Sequence, residues 1–168
     1  MICKFDRYIY ASKQTSKCGK LTALFVLENP LMNKMLDITP LLNAIERLDE
    51  GLKRYQQDIS DIQIRDGLIQ RFEFTYELSH KMLKRYLEMT SPSADTIDQM
   101  TFQDLIRSSN ERHLLLGNWL DWRNYREMRS RTSHTYDENT ALDVVAGIPK
   151  FLEEVQFLGA KLEALLNE

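Results

Sequence analysis

Residues Ile62 to Met89 read Ile-Gln-Ile-Arg-Asp-Gly-Leu-Ile-Gln-Arg-Phe-Glu-Phe-Thr-Tyr-Glu-Leu-Ser-His-Lys-Met-Leu-Lys-Arg-Tyr-Leu-Glu-Met, without a proline. Leu68, Phe72, Tyr76, Leu83, Tyr86 and Leu87 share one face at helical spacing, and Ile64, Phe74, Leu78 and Met82 form a second. Asp66, Gln70, Glu73, Glu77, Lys81, Lys84 and Glu88 crowd into one narrow polar strip, with His80 at its edge, where a structural partner is expected. A helix with so wide an apolar arc sits at the centre of a helical domain. Either it packs on several helices of its own domain, or it also contributes to a subunit interface.

Helical signals continue on both sides. Thr39-Pro40 reads as an N-cap followed by proline at the first helical position. Leu41, Leu42, Ile45, Leu48, Leu52 and Tyr55 then make a single stripe ending near Asp58. After Met89, Ser91-Pro92-Ser93-Ala94-Asp95 predicts a loop, and Thr101 with Asp104 predicts the capped start of a short helix. Gly117-Asn118 breaks the pattern, and Trp119 to Met128 resumes it, with Trp119, Leu120, Trp122 and Tyr125 apolar. From Glu138 a last helix runs toward Leu166. Pro149 is expected to kink or split it, and Phe151, Val155, Leu158, Leu162 and Leu165 form its stripe. His113 reads as a surface residue.

The chain has 168 residues, 43% of them hydrophobic, with 6 Gly and 4 Pro. That suits one all-α domain and argues against a turn-rich β fold. A net charge of -3 makes the whole molecule a poor polyanion binder, so any nucleic-acid contact rests on a local patch. No apolar run is long enough to span a membrane.

Residues 1–31 stand apart from 32–168. They carry Lys4, Arg7, Lys13, Lys17 and Lys20 against Asp6 and Glu28, hold both cysteines, Cys3 and Cys18, and lack helical periodicity. Leu21 to Leu27 after Lys20 faintly resembles a secretory signal, but the run is short and no small-residue cleavage site follows. An N-terminal extension dispensable to the domain, or a start assigned too far upstream, is the expectation. The cysteine-free remainder suits the reducing cytoplasm.

Between the last two long helices lies Arg129-Ser-Arg-Thr-Ser-His-Thr-Tyr136. On one unbroken helix Arg129 and His134 would lie about 140° apart. Ser130, Thr132 and Ser133 compete for the backbone through their hydroxyls, and Asp137 reads as an N-cap. The stretch is therefore a helix junction able to present Arg129, His134 and Tyr136 to solvent. Cations decorating a helix end account for the same residues. Arg123, Arg126, Arg129 and Arg131 are the one concentrated basic patch in the acidic body. They read equally as a solvated face or as a phosphate-facing surface, to which guanidinium is well matched.

The chain lacks a Gly-rich phosphate loop, a GxSxG, an HExxH and a CxxC. Its three histidines lie in separate segments without metal-ligand spacing, so neither a metal site nor a cofactor is expected. Without a Gly-Ser dipeptide or an Asp-x-Asp it is not itself a nucleotidyltransferase. One His with one Arg can cleave RNA, because the 2′-hydroxyl is a built-in nucleophile, His shuttles its proton near neutral pH, and Arg stabilises charge on the phosphoryl group.

The block Arg65 to Leu78, with Lys81 and Leu83, followed by Arg129-x4-His134-x-Tyr136, resembles the nucleotidyltransferase substrate-binding proteins. These belong with the HepT-like toxins of the HEPN superfamily. The similarity covers roughly Met35 to Leu166. It implies an antiparallel, up-and-down bundle of four to five helices that forms a homodimer. It further implies a metal-independent endoribonuclease of a toxin–antitoxin pair, with Arg129 on the scissile phosphate and His134 as acid and base. Arg123, Arg126 and Arg131 would then serve RNA binding. Tyr136 would be the residue to which a cognate nucleotidyltransferase antitoxin, with its GSx10DxD motif, adds AMP. The family's alternative role is a noncatalytic subunit presenting substrate to a separate nucleotidyltransferase. The asparagine usual after the arginine is here Ser130, a shorter hydrogen-bonding group.

Overall fold

Asp61 accepts a hydrogen bond from the Ile64 amide at 3.1 Å and so starts the central helix, α2, Ile62–Thr90. The structure, a computed structural model, describes residues 36–167; the expectations about residues 1–31 fall outside them. Before α2 comes α1, Thr39–Gln57. After it come α3, Ala94–Asp98, α4, Phe102–Glu111, and α5, Trp119–Arg131. A 3₁₀ turn, Thr132–His134, leads into α6, Glu138–Leu166. Among the described residues all regular structure is helical, which makes this an all-α bundle. None of these helices is long and apolar enough to cross a membrane.

α2 packs against α1, α3, α4, α5 and α6, the central position its apolar arc demands. Its first face is buried throughout: Leu68, Phe72, Tyr76, Leu83, Tyr86 and Leu87. Of the second face Met82 is buried, Ile64 and Leu78 are half-buried, and Phe74 is 51% exposed. The core joins α2, α5 and α6 through aromatic rings. Phe151 lies edge-on to Phe72 at 4.9 Å and to Tyr125 at 5.1 Å between centroids, and Trp122 lies edge-on to Tyr125 at 5.9 Å. Such tilted contacts align ring edges with ring faces. α1 comes close to α6 at Gly159, where a Cβ would stand 3.0 Å from Ile45 Cδ1.

Three details differ from the sequence reading. Thr39 is the first residue of α1 and not its cap; Ile38 holds the cap position without a side-chain bond, and Asp37 accepts from the Thr39 amide at 3.0 Å. The segment expected as a loop after α2 already enters a short helix, α3, at Ala94. Pro149 does not split α6, which runs unbroken through it. The proline faces solvent while Ile148, Phe151 and Leu152 around it are buried, so packing on both sides holds the helix past the missing amide.

Thr101 caps α4, accepting from the Asp104 amide at 3.2 Å, as expected. Asn118 and Asp121 form a reciprocal capping box at the start of α5. His113 is exposed and ends the α4 turn in the left-handed region, at φ 57°.

Candidate functional site

The junction after α5 forms as its hydroxyl residues dictate. The α-helix stops at Arg131, the backbone tightens into the 3₁₀ turn, and the Asp137 carboxylate accepts from the Thr140 amide at 2.8 Å to open α6. That bond holds the Asp137 carboxyl below the usual carboxylate range. Thr132 is buried under the turn, and Thr135 donates to its carbonyl at 3.1 Å. His134 is exposed, and Tyr136 is 88% exposed. Their rings meet edge-on with centroids 6.1 Å apart.

Arg129 is not freely solvated, contrary to the sequence reading. It is half-buried against the polar strip of α2. Its Nη1 lies 3.0 Å from Glu73 Oε1 and donates to Thr132 Oγ1 at 3.1 Å, while its Nε donates to Glu77 Oε1 at 3.1 Å. The Thr132 hydroxyl in turn donates to Glu73. Nη2 has no partner among the described residues and is not sealed from solvent. The guanidinium is thus fixed in direction with one edge left over. Individually such half-exposed pairs add little stability; their effect here is orientation. Glu73 and Glu77, one helical turn apart, are the signal that could have announced this clamp, since i,i+4 carboxylates share a face.

Further cross-links hold the junction. Arg131 Nη2 pairs with Asp143 of α6 at 2.7 Å, and buried Arg65 of α2 pairs with Glu138 at 2.8 Å, just past Tyr136. The basic patch therefore divides. Arg131 turns to α6, away from Arg126 and Arg129, which border one cleft. Arg126 lies over the Phe102 ring, 4.7 Å from its centroid, and Arg123 is exposed. Among the described residues no hydrogen bond or ion pair joins Arg129 to His134; the turn between them aims His134 outward.

The cleft bordered by Arg126 and Arg129 lies between α2, α4 and α5 and is also lined by Tyr76, His80, Phe102 and Ser130. Ser130 is part of this wall. His80 has the partner expected of it, the Phe102 ring at 5.4 Å. Burial lowers its pKa, and the charges of Arg126 and Lys84 act in the same direction against the opposing pull of Glu77. Burial also pushes the Tyr76 hydroxyl up to about 12.

What positions α5 was invisible in the sequence. Glu154 of α6 is buried and accepts from the Leu116 and Gly117 amides and from Trp122 Nε1. In the sequence Glu154 is simply a charged residue beside the stripe of α6.

Comparison with known proteins agrees with this architecture. A solved Haemophilus influenzae structure, described as the fold of a substrate-binding domain of a nucleotidyltransferase, matches with a TM-score of 0.71 at 35% identity, covering 76% of this chain and 99% of that one. A Haemophilus influenzae protein named probable ribonuclease HepT is 47% identical over 92 residues, 55% of this chain and 62% of that relative. The chain thus matches less than two thirds of that relative's length. The profile of the family described as nucleotidyltransferase substrate binding protein like matches residues 36–164. The chain belongs to that family.

Proposed function

We propose that the chain is a HepT-like toxin, a metal-independent endoribonuclease acting through Arg129 and His134 and neutralised by a cognate nucleotidyltransferase that adds AMP to Tyr136. The observation that carries this reading is the junction itself. A braced arginine with its Nη2 edge unfilled sits five residues before an exposed histidine, in a chain similar to a named ribonuclease. In the reaction His134 takes the proton of the RNA 2′-hydroxyl. The 2′-oxygen bonds to phosphorus, the bond from phosphorus to the 5′-oxygen breaks, and the leaving 5′-oxygen takes the proton back from the His134 imidazolium, which returns to its neutral form. Arg129 Nη2 donates to the phosphoryl oxygens as charge develops. The products are a 2′,3′-cyclic phosphate and a 5′-hydroxyl. A homodimer brings two such sets to one cleft, and the half-covered face at Phe74 and Leu78 gives a second copy apolar surface to cover.

One observation favours the alternative, a noncatalytic subunit presenting substrate to a separate nucleotidyltransferase. Glu73 and Glu77 oppose the charge of Arg129, which weakens it as a phosphate electrophile. Incubating the protein with an oligoribonucleotide in EDTA separates the two. Cleavage leaving a cyclic phosphate, abolished by His134→Ala and nearly so by Arg129→Ala, supports the toxin. Cleavage that requires magnesium or persists in His134→Ala rejects the mechanism, and no cleavage at all leaves the alternative.

A further inference from the structure

The cleft between α2, α4 and α5 encloses about 530 Å³, within the size of ordinary small-molecule sites. Its charged groups are largely committed elsewhere. Lys84 is paired with Asp98 at 2.5 Å and Glu88 at 3.6 Å, and Glu77 with Arg129. What stays uncommitted is of another kind. The His80 and Phe102 rings lie side by side on the wall, with centroids 5.4 Å apart, and the exposed Arg126 guanidinium lies over Phe102. Among the described residues the His80 ring nitrogens and the Tyr76 hydroxyl have no hydrogen-bond partner, yet none is sealed from the cleft. Arg129 and Ser130 stand at the α5 rim. The walls therefore suit a flat ring with a polar edge, attached to an anion.

We propose that this cleft is a base-recognition pocket. It holds one nucleobase of an RNA strand beside the phosphate that Arg129 contacts, and His80 and Tyr76 read the edge of that base. The identity of the polymer rests on the ribonuclease reading; the pocket's preference for a base over a bare sugar phosphate does not. Single-stranded RNA is read by stacking on aromatic or guanidinium platforms together with hydrogen bonds to base edges. Phe102 with Arg126 supplies the platform. A neutral imidazole offers one donor and one acceptor, whereas an imidazolium offers two donors. The burial that lowers the His80 pKa keeps the mixed pattern that a base edge complements.

The test is calorimetric titration of the full chain with each of the four nucleoside 5′-monophosphates, and with ribose 5-phosphate as the base-less probe. At least one monophosphate should bind about tenfold more tightly than ribose 5-phosphate, the effect of roughly one well-placed edge contact. His80→Ala should erase that preference while leaving ribose 5-phosphate affinity unchanged, and Arg126→Ala should weaken the monophosphate. His80→Asn keeps a donor and an acceptor and should retain part of the preference. With Tyr76→Phe it carries the test should His80→Ala fail to fold by circular dichroism. Four monophosphates that bind no better than ribose 5-phosphate would overturn the pocket, as would a preference that survives in His80→Ala. A chain that discriminates bases but cleaves no RNA would sink the ribonuclease reading and leave the pocket standing. A chain that cleaves RNA without discriminating would do the reverse.

Discussion

Glu154→Ala should be among the most damaging single changes in this domain, although it touches neither Arg129 nor His134. The Glu154 side chain comes from α6 and is 2% exposed. Its Oε1 accepts from the Leu116 amide at 3.1 Å and from Trp122 Nε1 at 3.1 Å, and its Oε2 accepts from the Gly117 amide at 2.6 Å. Position 117 is glycine for this reason, since a Cβ there would stand 2.7 Å from Oε2. One carboxylate thus ties the chain entering α5, and the first turn of α5, to α6. A buried donor stripped of its acceptor costs about 1–3 kcal/mol. The Trp122 bond is fully buried and the two amide bonds are partly so, so the three together come to roughly 3–5 kcal/mol. In a domain of this size that lowers the melting temperature by about 10–20 °C. Glu154→Gln keeps the shape and one acceptor but sets an NH₂ against a donor, for roughly 1–3 kcal/mol. Urea unfolding followed by circular dichroism and by tryptophan emission measures both variants. Adding Trp122→Phe to Glu154→Ala should cost less than the sum of the two, because the partners are shared. A Glu154→Ala protein within 1 kcal/mol of wild type, with unchanged tryptophan emission, would show that the carboxylate is not what holds α5.

Three further outcomes are expected. His113 adopts φ 57° as an exposed residue, and glycine escapes the left-handed penalty, so His113→Gly should raise stability by up to about 1 kcal/mol; a loss in urea unfolding would mean the imidazole makes a needed contact. Burial raises the Tyr76 hydroxyl from 10.0 to about 12 and moves Tyr125 in the same direction. Their contribution to stability is therefore present below pH 10.0 and lost as the pH climbs through about 12, when the unfolded chain ionises first. Tyr76→Phe should flatten part of that alkaline loss, and a Tyr76 that titrates with the exposed tyrosines would contradict the burial. Incubation with the cognate nucleotidyltransferase, ATP and magnesium should raise the mass in AMP steps, because Tyr136 stands clear of the surface. The added phosphate would occupy the space RNA needs and repel it. Tyr136→Phe should abolish the shift and leave cleavage largely intact; a variant modified as efficiently as wild type would move the site to another residue.

The helices and the junction were legible because their causes are local. The stripes of α1, α2 and α6, the caps at Thr101 and Asp137, and the break at Arg131 to Asp137 all follow from spacing within a turn or two, or from a side chain reaching a nearby amide. So did the exposure of His134 and Tyr136, which hydroxyl-rich, poorly helical sequence leaves on a turn. Leu120 shows the limit even here: it is an apolar residue of α5 and yet is 61% exposed.

Tertiary structure alone decided what each charged side chain does. Glu73 and Glu77 looked like a solvated strip and became the clamp on Arg129, and Arg131 left the basic patch for Asp143. Glu154 disappeared beneath the entry to α5, and His80 met Phe102 across the wall of a cleft. Periodicity says which way a side chain points from its own helix axis. It does not say which neighbour crosses there or at what height, and the partners in these pairs lie 12 to 56 residues apart in the chain. A polar residue's role depends on that partner, because the same carboxylate is inert in water and orienting against a guanidinium.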